Sequence, residues 1–380
     1  MKVEQRLWSR AGGWLPGFEQ STLGESAQLV LMFGEPSALR ESEGLERVRA
    51  SYPAAHVVGC TTAGQILDAR VLDETIALTA VAFEHTRLES AHTPIRDVDD
   101  SFDAGVRLAR TFQTEGLRHL FVLSEGLKVN ASDLVRGIDS VLPESVTVSG
   151  GCAADGNRLQ STHVWHNGPP EESAAVGVAF YGEHLEVGVS AIGGWRPFGP
   201  DRLITRSHKN VLYEFDGRPA LALYKEYLGE YAEDLPASGL MFPLELRGEE
   251  PGQTVLRALL SVDEEAQSIT YAGDVPEGAQ ARFMFATIDD LIQGTHAAAK
   301  TSLERLGSFS PQLSILVSCN GRRYVLKQRT EEELEAVKEA LGTRTALTGF
   351  YSYGEIAPSD SGGGSRLHNE TMTITSFAER

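Results

Sequence analysis

Gly349-Phe350-Tyr351-Ser352-Tyr353-Gly354-Glu355-Ile356, followed after a Ser/Gly-rich loop by Leu367-His368-Asn369-Glu370-Thr371-Met372-Thr373-Ile374-Thr375, is the stretch from which this fold is read. Glycine at both ends of the first motif marks tight turns or a close backbone approach. The segment 367–375 alternates and is rich in Thr and Ile, which predicts a strand. Alternate residues of a strand share a face, so His368 and Glu370 fall on the side of Met372 and Ile374. A histidine on an apolar face, beside two tyrosines, is expected to line a pocket. The loop 359–365 has too little apolar content to order itself and is expected to be the part that moves.

The same spacing occurs twice more. Gly59-Cys60-Thr61-Thr62-Ala63-Gly64-Gln65-Ile66 repeats the pattern Gly-x-x-Ser/Thr-x-Gly-Gln/Glu-Ile, and Glu74-Thr75-Ile76-Ala77-Leu78-Thr79 repeats the segment from Glu370. A weaker copy runs from Gly151 to Gly156 and resumes at Glu172; the interval from Gly151 to Glu172 equals that from Gly349 to Glu370. Self-similarity of this kind fixes architecture before other signals do. Each copy belongs to one unit. An apolar strand comes first (28–33, 119–123, 313–317), then a helix (37–50, 131–142, 331–341), a strand, the glycine turn and a last strand. Helices and strands alternate throughout, so the fold class is α/β: two mixed α/β domains built on repeated strand-helix-strand-glycine turn-strand units. We divide the chain into an arm at 1–25, a first domain at 26–218 and a second at 219–380. The segments 239–244 and 255–262 are expected as strands, and 287–305 as a helix.

The 380 residues suffice for two domains with sizeable cores. A net charge of -19 argues against binding nucleic acid or anionic lipid through a phosphate-neutralising surface. The three cysteines, Cys60, Cys152 and Cys319, form no Cys-x-x-Cys pair and no zinc spacing, which suits a reducing cytoplasm. No run reaches the ~20 apolar residues of a membrane span, and the first residues carry no signal-peptide pattern.

In their order, these motifs resemble the FIST family of bacterial sensory proteins. The residues that carry the resemblance are the glycine turns at 59–64, 151–156 and 349–356, and Gly193-Gly194-Trp195-Arg196-Pro197-Phe198-Gly199-Pro200. To these add 239–243, Gly273-Asp274-Val275-Pro276-Glu277-Gly278, Ser318-Cys319-Asn320-Gly321-Arg322 and 368–375. The resemblance implies a FIST N and a FIST C domain, and a cytoplasmic sensor of the stand-alone type acting through another protein. A stand-alone branch, NosP, is a haem protein that senses nitric oxide and controls a partner histidine kinase. The reading that follows is a haem sensor of nitric oxide regulating a histidine kinase or a cyclic-di-GMP pathway. The alternative is a haem-free sensor of a small metabolite such as an amino acid. Self-association is open in either case.

Haem needs an axial ligand, most often His or Cys. His368 is the first choice for ligating the metal, because it lies on the apolar face and stands where the first copy has Leu72. His163, His166 and His296 are weaker candidates. A structural histidine bonded to Glu370 or to a backbone carbonyl is the competing reading. An amino-acid pocket needs a cation and a carboxylate, which Arg322 and Glu355 supply beside Tyr351 and Tyr353. Arg322 has its own alternative as a solvated turn residue. No catalytic motif is present, so the chain is expected not to be an enzyme. The residual exception is a nucleophilic Cys60 or Cys152, which would need a histidine within reach.

Overall fold

Three stretches of the chain fold alike in the computed structural model, which describes residues 1–41, 44–247, 254–359 and 364–380. The first has strands Leu29–Gly34, His56–Thr61 and Thr75–Ala82. The second has Leu117–Ser124, Thr147–Cys152 and Ala174–Tyr181, and the third Leu313–Cys319, Ala346–Ser352 and Met372–Glu379. In each, the second strand runs parallel to the first and the last antiparallel to it. Helices connect the parallel strands, as a parallel pair requires. The expected alternation is there, and the chain is mixed α/β.

The registers show which residues are equivalent. Met32 pairs with Gly59, Val122 with Gly150 and Leu316 with Gly349. A Cβ at any of these glycines would lie 1.8 Å from the partner's carbonyl oxygen. The second copy therefore starts at Gly150, one residue before the glycine that letter matching selects. Its counterpart of Glu74 and Glu370 is Ser173 rather than Glu172. All three of these residues have positive φ, at 53°, 52° and 58° for Glu74, Ser173 and Glu370. Gly349→Ala is expected to lower stability by about 1–3 kcal/mol through overpacking. An unchanged urea midpoint would show that the strands can separate to admit a methyl.

After each glycine turn the chain leaves its own sheet. Gln65–Leu67 pairs with the third unit's second strand, Glu355–Pro358 with the second unit's, and Val164–His166 with the first unit's. The three glycines Gly349, Gly150 and Gly59 then face Ile66, Ile356 and Trp165. This cyclic exchange closes three sheets into a ring around one apolar core, in which Phe33 meets Phe350 and Phe180 meets Phe377. The turns also bond to one another: Ala154 N–H donates to the Thr61 carbonyl, Ala63 N–H to that of Tyr351, and Cys152 N–H to that of Gly354.

The first residues, left unplaced by the sequence, form strand Lys2–Ser9 paired with Thr75–Ala82, with Trp8 and Trp14 buried behind it. Between the second and third units lies a separate eight-stranded sheet, from Arg196–His208 to Gln280–Phe285. Its core gathers Phe215, Tyr224, Leu244 and Phe283. Of the segment 239–244, expected as strand, the first residues belong to the 3-10 turn Ala237–Met241, and the strand begins only at Leu244. Among the described residues no helix is long and apolar enough to cross a membrane.

One difference from the sequence reading positions the site. The segment 367–375 is not a single strand. Ser365–His368 pairs with Glu355–Pro358 in the second unit's sheet, whereas Met372–Glu379 belongs to the third unit's sheet. The chain crosses between them at Asn369 and Glu370, so the shared face expected for His368, Glu370 and Met372 does not exist. Of the loop expected to move, residues 360–363 lie outside the described residues.

Candidate functional site

The turn of the third unit builds a polar network that the first unit repeats with a neutral group. Ser352 donates from Oγ to Glu355 Oε1. Thr371 donates to Glu355 Oε2 from both its backbone nitrogen, at 3.3 Å, and its hydroxyl, at 3.1 Å. In the first unit the equivalent residue is Gln65, whose Nε2 donates to Thr62 Oγ1 at 2.7 Å while its Oε1 accepts from Thr75 Oγ1 at 2.6 Å. The Gln/Glu alternation in the sequence motif thus marks one bridging position, occupied once by an amide and once by a carboxyl. Burial pushes the Glu355 carboxyl up to about 8, its hydrogen bonds to Ser352 and Thr371 notwithstanding.

Next to it lies Glu370, fully buried, whose two carboxyl oxygens meet no nitrogen or oxygen donor among the described residues, only the weak pull of the Cys319 thiol. Its carboxyl sits against Gly321, where a Cβ would come within 1.9 Å of Oε1. Burial pushes this group up to about 8 as well; the Arg322 charge and the Cys319 thiol pull the other way, too weakly to offset it. The Glu370 carbonyl accepts from Trp195 Nε1 at 2.7 Å, which ties the site to the first residues of the inserted sheet. Asn369, also fully buried, donates from Nδ2 to the Tyr353 carbonyl and has Oδ1 without a partner. His368 is nine-tenths buried, and its Nε2 has no partner. Burial and the Arg257 and Arg366 charges depress its pKa to about 4, against a bond to the Ala357 carbonyl that favours the charged form. It is neutral at pH 7, and the tautomer that serves Ala357 leaves Nε2 a bare acceptor.

The other expected site residues form two further groups. Tyr351 donates to Glu333 Oε1 at 2.6 Å, and Arg322 donates to Glu333 Oε2 at 2.9 Å. Arg322 also donates to Gly193 O, Leu291 O and Thr295 Oγ1, and it is fully buried rather than solvated at a turn. Of its nitrogens only Nε lacks a partner among the described residues. Tyr353 donates to Asp155 Oδ1 and to the Gly156 carbonyl. So His368 and Glu355 share the crossing with Asn369 and Glu370, Tyr353 touches it through its carbonyl, and Tyr351 and Arg322 are joined to each other through Glu333. Sequence reasoning missed Glu333, although helical spacing from Val337 and Leu341 places it on the buried face. It also gave no role to Asn369 and Trp195, which lie inside the quoted motifs, and it missed Arg257, for which the sequence carries no signal.

His163 lies 3.5 Å from Glu172, His166 bonds to Ser90 Oγ, and His296 is half-buried on the helix Ile288–Arg305. Two cavities, of about 230 and 430 Å³, are lined by Arg202, Arg218 and Tyr227 and by Arg49, Tyr52 and His56 respectively. Neither reaches His368. Its orphaned Nε2 is the atom a haem iron takes, but the packing around a nine-tenths buried ring does not fit a macrocycle. Among the described residues no group of three or more His, Cys, Asp or Glu is placed to hold a metal ion. All three cysteines are free and buried, and burial pushes their thiols up, away from the nucleophilic form.

Comparison with known proteins places this architecture. Two uncharacterised proteins of Mycobacterium tuberculosis, from strains CDC 1551 / Oshkosh and ATCC 25618 / H37Rv, are each 26% identical to this chain over 369 residues, 95% of this chain and 94% of theirs. A cyanuric acid hydrolase from A. caulinodans matches with a TM-score of 0.39 at 8% identity, over 100% of this chain and 98% of its own. A second cyanuric acid hydrolase structure gives 0.34, also at 8% identity, over 100% and 99%. At these TM-scores neither fold nor chemistry carries over. The family models are decisive: one for the FIST N domain matches residues 28–218 and one for the FIST C domain matches 220–358, so this chain belongs to the FIST family, whose domains have a sensory, small-ligand-binding role.

Proposed function

We propose that this protein is a cytoplasmic sensor, not an enzyme, and that its signal is a small metabolite with an amino group, such as an amino acid, received at residues 368–370. Glu370 carries the proposal. A fully buried carboxyl that meets only the weak Cys319 thiol is costly unless something supplies stronger hydrogen-bond donors. Asn369 Oδ1 and His368 Nε2 add acceptors in the same run. An ammonium group supplies the donors that Glu370 lacks, and its charge would draw the proton off Glu370. Because Trp195 holds the Glu370 carbonyl, a rearrangement there reaches the inserted sheet. Only a difference in ligand affinity between two arrangements can drive that change. The output is a separate signalling protein, a histidine kinase or a component of a cyclic-di-GMP pathway. Free, buried thiols suit the reducing cytoplasm.

The second reading, a haem sensor of nitric oxide ligated by His368, rests on the orphaned Nε2 alone. Thermal melts with a panel of amino acids and amines, beside a haemin titration, separate the two. The right amine should stabilise the wild type by about 2.7 kcal/mol at a hundredfold excess over Kd and leave Glu370→Gln unmoved. A Soret band at one haem per chain, shifted by nitric oxide and lost in His368→Ala, would overturn the amine reading.

A further inference from the structure

Three exposed aromatic rings surround one buried ring on the inserted sheet. Phe242 is 5% exposed, while Phe198, Phe285 and Tyr231 are 36%, 39% and 52% exposed. Their ring centroids lie 6.1, 5.7 and 5.3 Å from that of Phe242. Sharing a buried neighbour makes them one patch, and wet aromatic surface of this kind marks contact sites. Tyr231 lies in the 3-10 turn Gly229–Asp234, which also carries Glu230, Glu233 and Asp234. These three carboxylates are exposed, and among the described residues none is in an ion pair.

We infer that this patch docks a segment of another protein, one that inserts an apolar or aromatic side chain among Phe198, Tyr231 and Phe285 and sets Lys or Arg against Glu230, Glu233 and Asp234. The charge selects the occupant. A second copy of this chain would bring the same carboxylates together across a two-fold axis. Nucleic acid and anionic membrane are repelled by the acidic rim and by the net charge of -19.

The patch is wired to Glu370 by the motif from Gly193 to Pro200. Gly193 backs onto the Glu370 carbonyl, Trp195 donates to it, and Phe198 three residues on enters the patch. Arg196, between them, pairs in register with Phe285. Gly199, at φ 82°, packs flat on the Tyr227 ring, where a Cβ would come within 2.7 Å. A short segment with one end at the ligand site and the other in the docking surface is a means of carrying the signal out, whatever the ligand is.

The test uses the whole protein and a fluorescein-labelled amphipathic leucine–lysine peptide, followed by anisotropy, beside its leucine–glutamate counterpart. The lysine peptide should bind. Phe198→Ser/Phe285→Ser and Glu230→Lys/Glu233→Lys should each weaken it by about tenfold or more. Leu15→Ser, an exposed hydrophobe outside this patch, should leave it unchanged. Tyr231→Ala, in a surface turn, serves if melts show that the serine pair does not fold. Equal binding to wild type and patch variants overturns the inference, as does binding of the glutamate peptide. A wild-type dimer dissolved by Phe285→Ser would also overturn it, because the occupant would then be a second copy. Peptide binding is measured without any small molecule, so failure of the amine screen leaves this result standing.

Discussion

Raising the pH from 6.5 to 8 is expected to remove about 3 kcal/mol of the stability that two buried carboxyls contribute, and Glu370→Gln is expected to halve that loss. Burial pushes both Glu355 and Glu370 from 4.5 up to about 8. Between those values the unfolded chain has released protons that the folded chain retains, so stability falls as pH rises, by about 1.4 kcal/mol per unit for each group. Below 6.5 the buried histidines act oppositely. His119 is held down to about 3, and His166 and His368 to about 4, each mainly by burial. They are neutral when folded and charged when unfolded, so their contribution rises with pH through 6.5 and levels off about one unit above it. From there to pH 8 the slope belongs to the two carboxyls. Urea unfolding at pH 6.5, 7 and 8 reads the slope directly. A flat profile would mean that the two carboxyls are not protonated in the native state, and the case for an unmet buried acid at Glu370 would fall with it. Glu355→Gln provides an internal control, since Gln65 already fills the equivalent position with an amide. That variant should fold as well as the wild type at pH 6.5 and better at pH 8.

The glycine turns were legible in the sequence because backbone approach to a carbonyl oxygen excludes every side chain, and the constraint leaves its mark in three places. Their register was legible only to within one residue: Gly150 and Gly151 look alike as letters, and only pairing with Val122 separates them. The cyclic strand exchange was hidden, since whether Gln65–Leu67 pairs with its own unit or with the third is decided by distant residues. The break at Glu370 was hidden for a different reason. A glutamate at φ 58° is rare, and the alternating pattern around it reads as continuous strand. What the sequence conveyed about the site was its chain position and two of its acids; what it could not convey was which polar atoms end up without partners.

Replacing Arg322 by methionine is expected to destabilise the protein by about 3–5 kcal/mol. The guanidinium and the Glu333 carboxylate are both fully buried, so each holds the other's charge away from water. Without Arg322, Glu333 retains hydrogen bonds from Tyr351, Ser318 and Thr295 but faces the interior with no countercharge. The Gly193 and Leu291 carbonyls lose a donor as well. A buried pair is weak evidence of net stabilisation, because desolvation of both ions offsets most of their attraction. Arg322→Met/Glu333→Leu should therefore recover most of the loss, and urea midpoints of the two variants make the comparison. A single variant as stable as the wild type would show that water reaches Glu333. A double variant no better than the single would show that Arg322 acts through its carbonyl contacts alone. The contact with Gly193 connects the pair to sensing, since Gly193 backs onto the Glu370 carbonyl. In the double variant that contact is absent while the stability is restored. If amine binding at Glu370 is then weakened, Arg322 holds the ligand site in shape; if it is unchanged, Trp195 alone is enough to hold Glu370 in place.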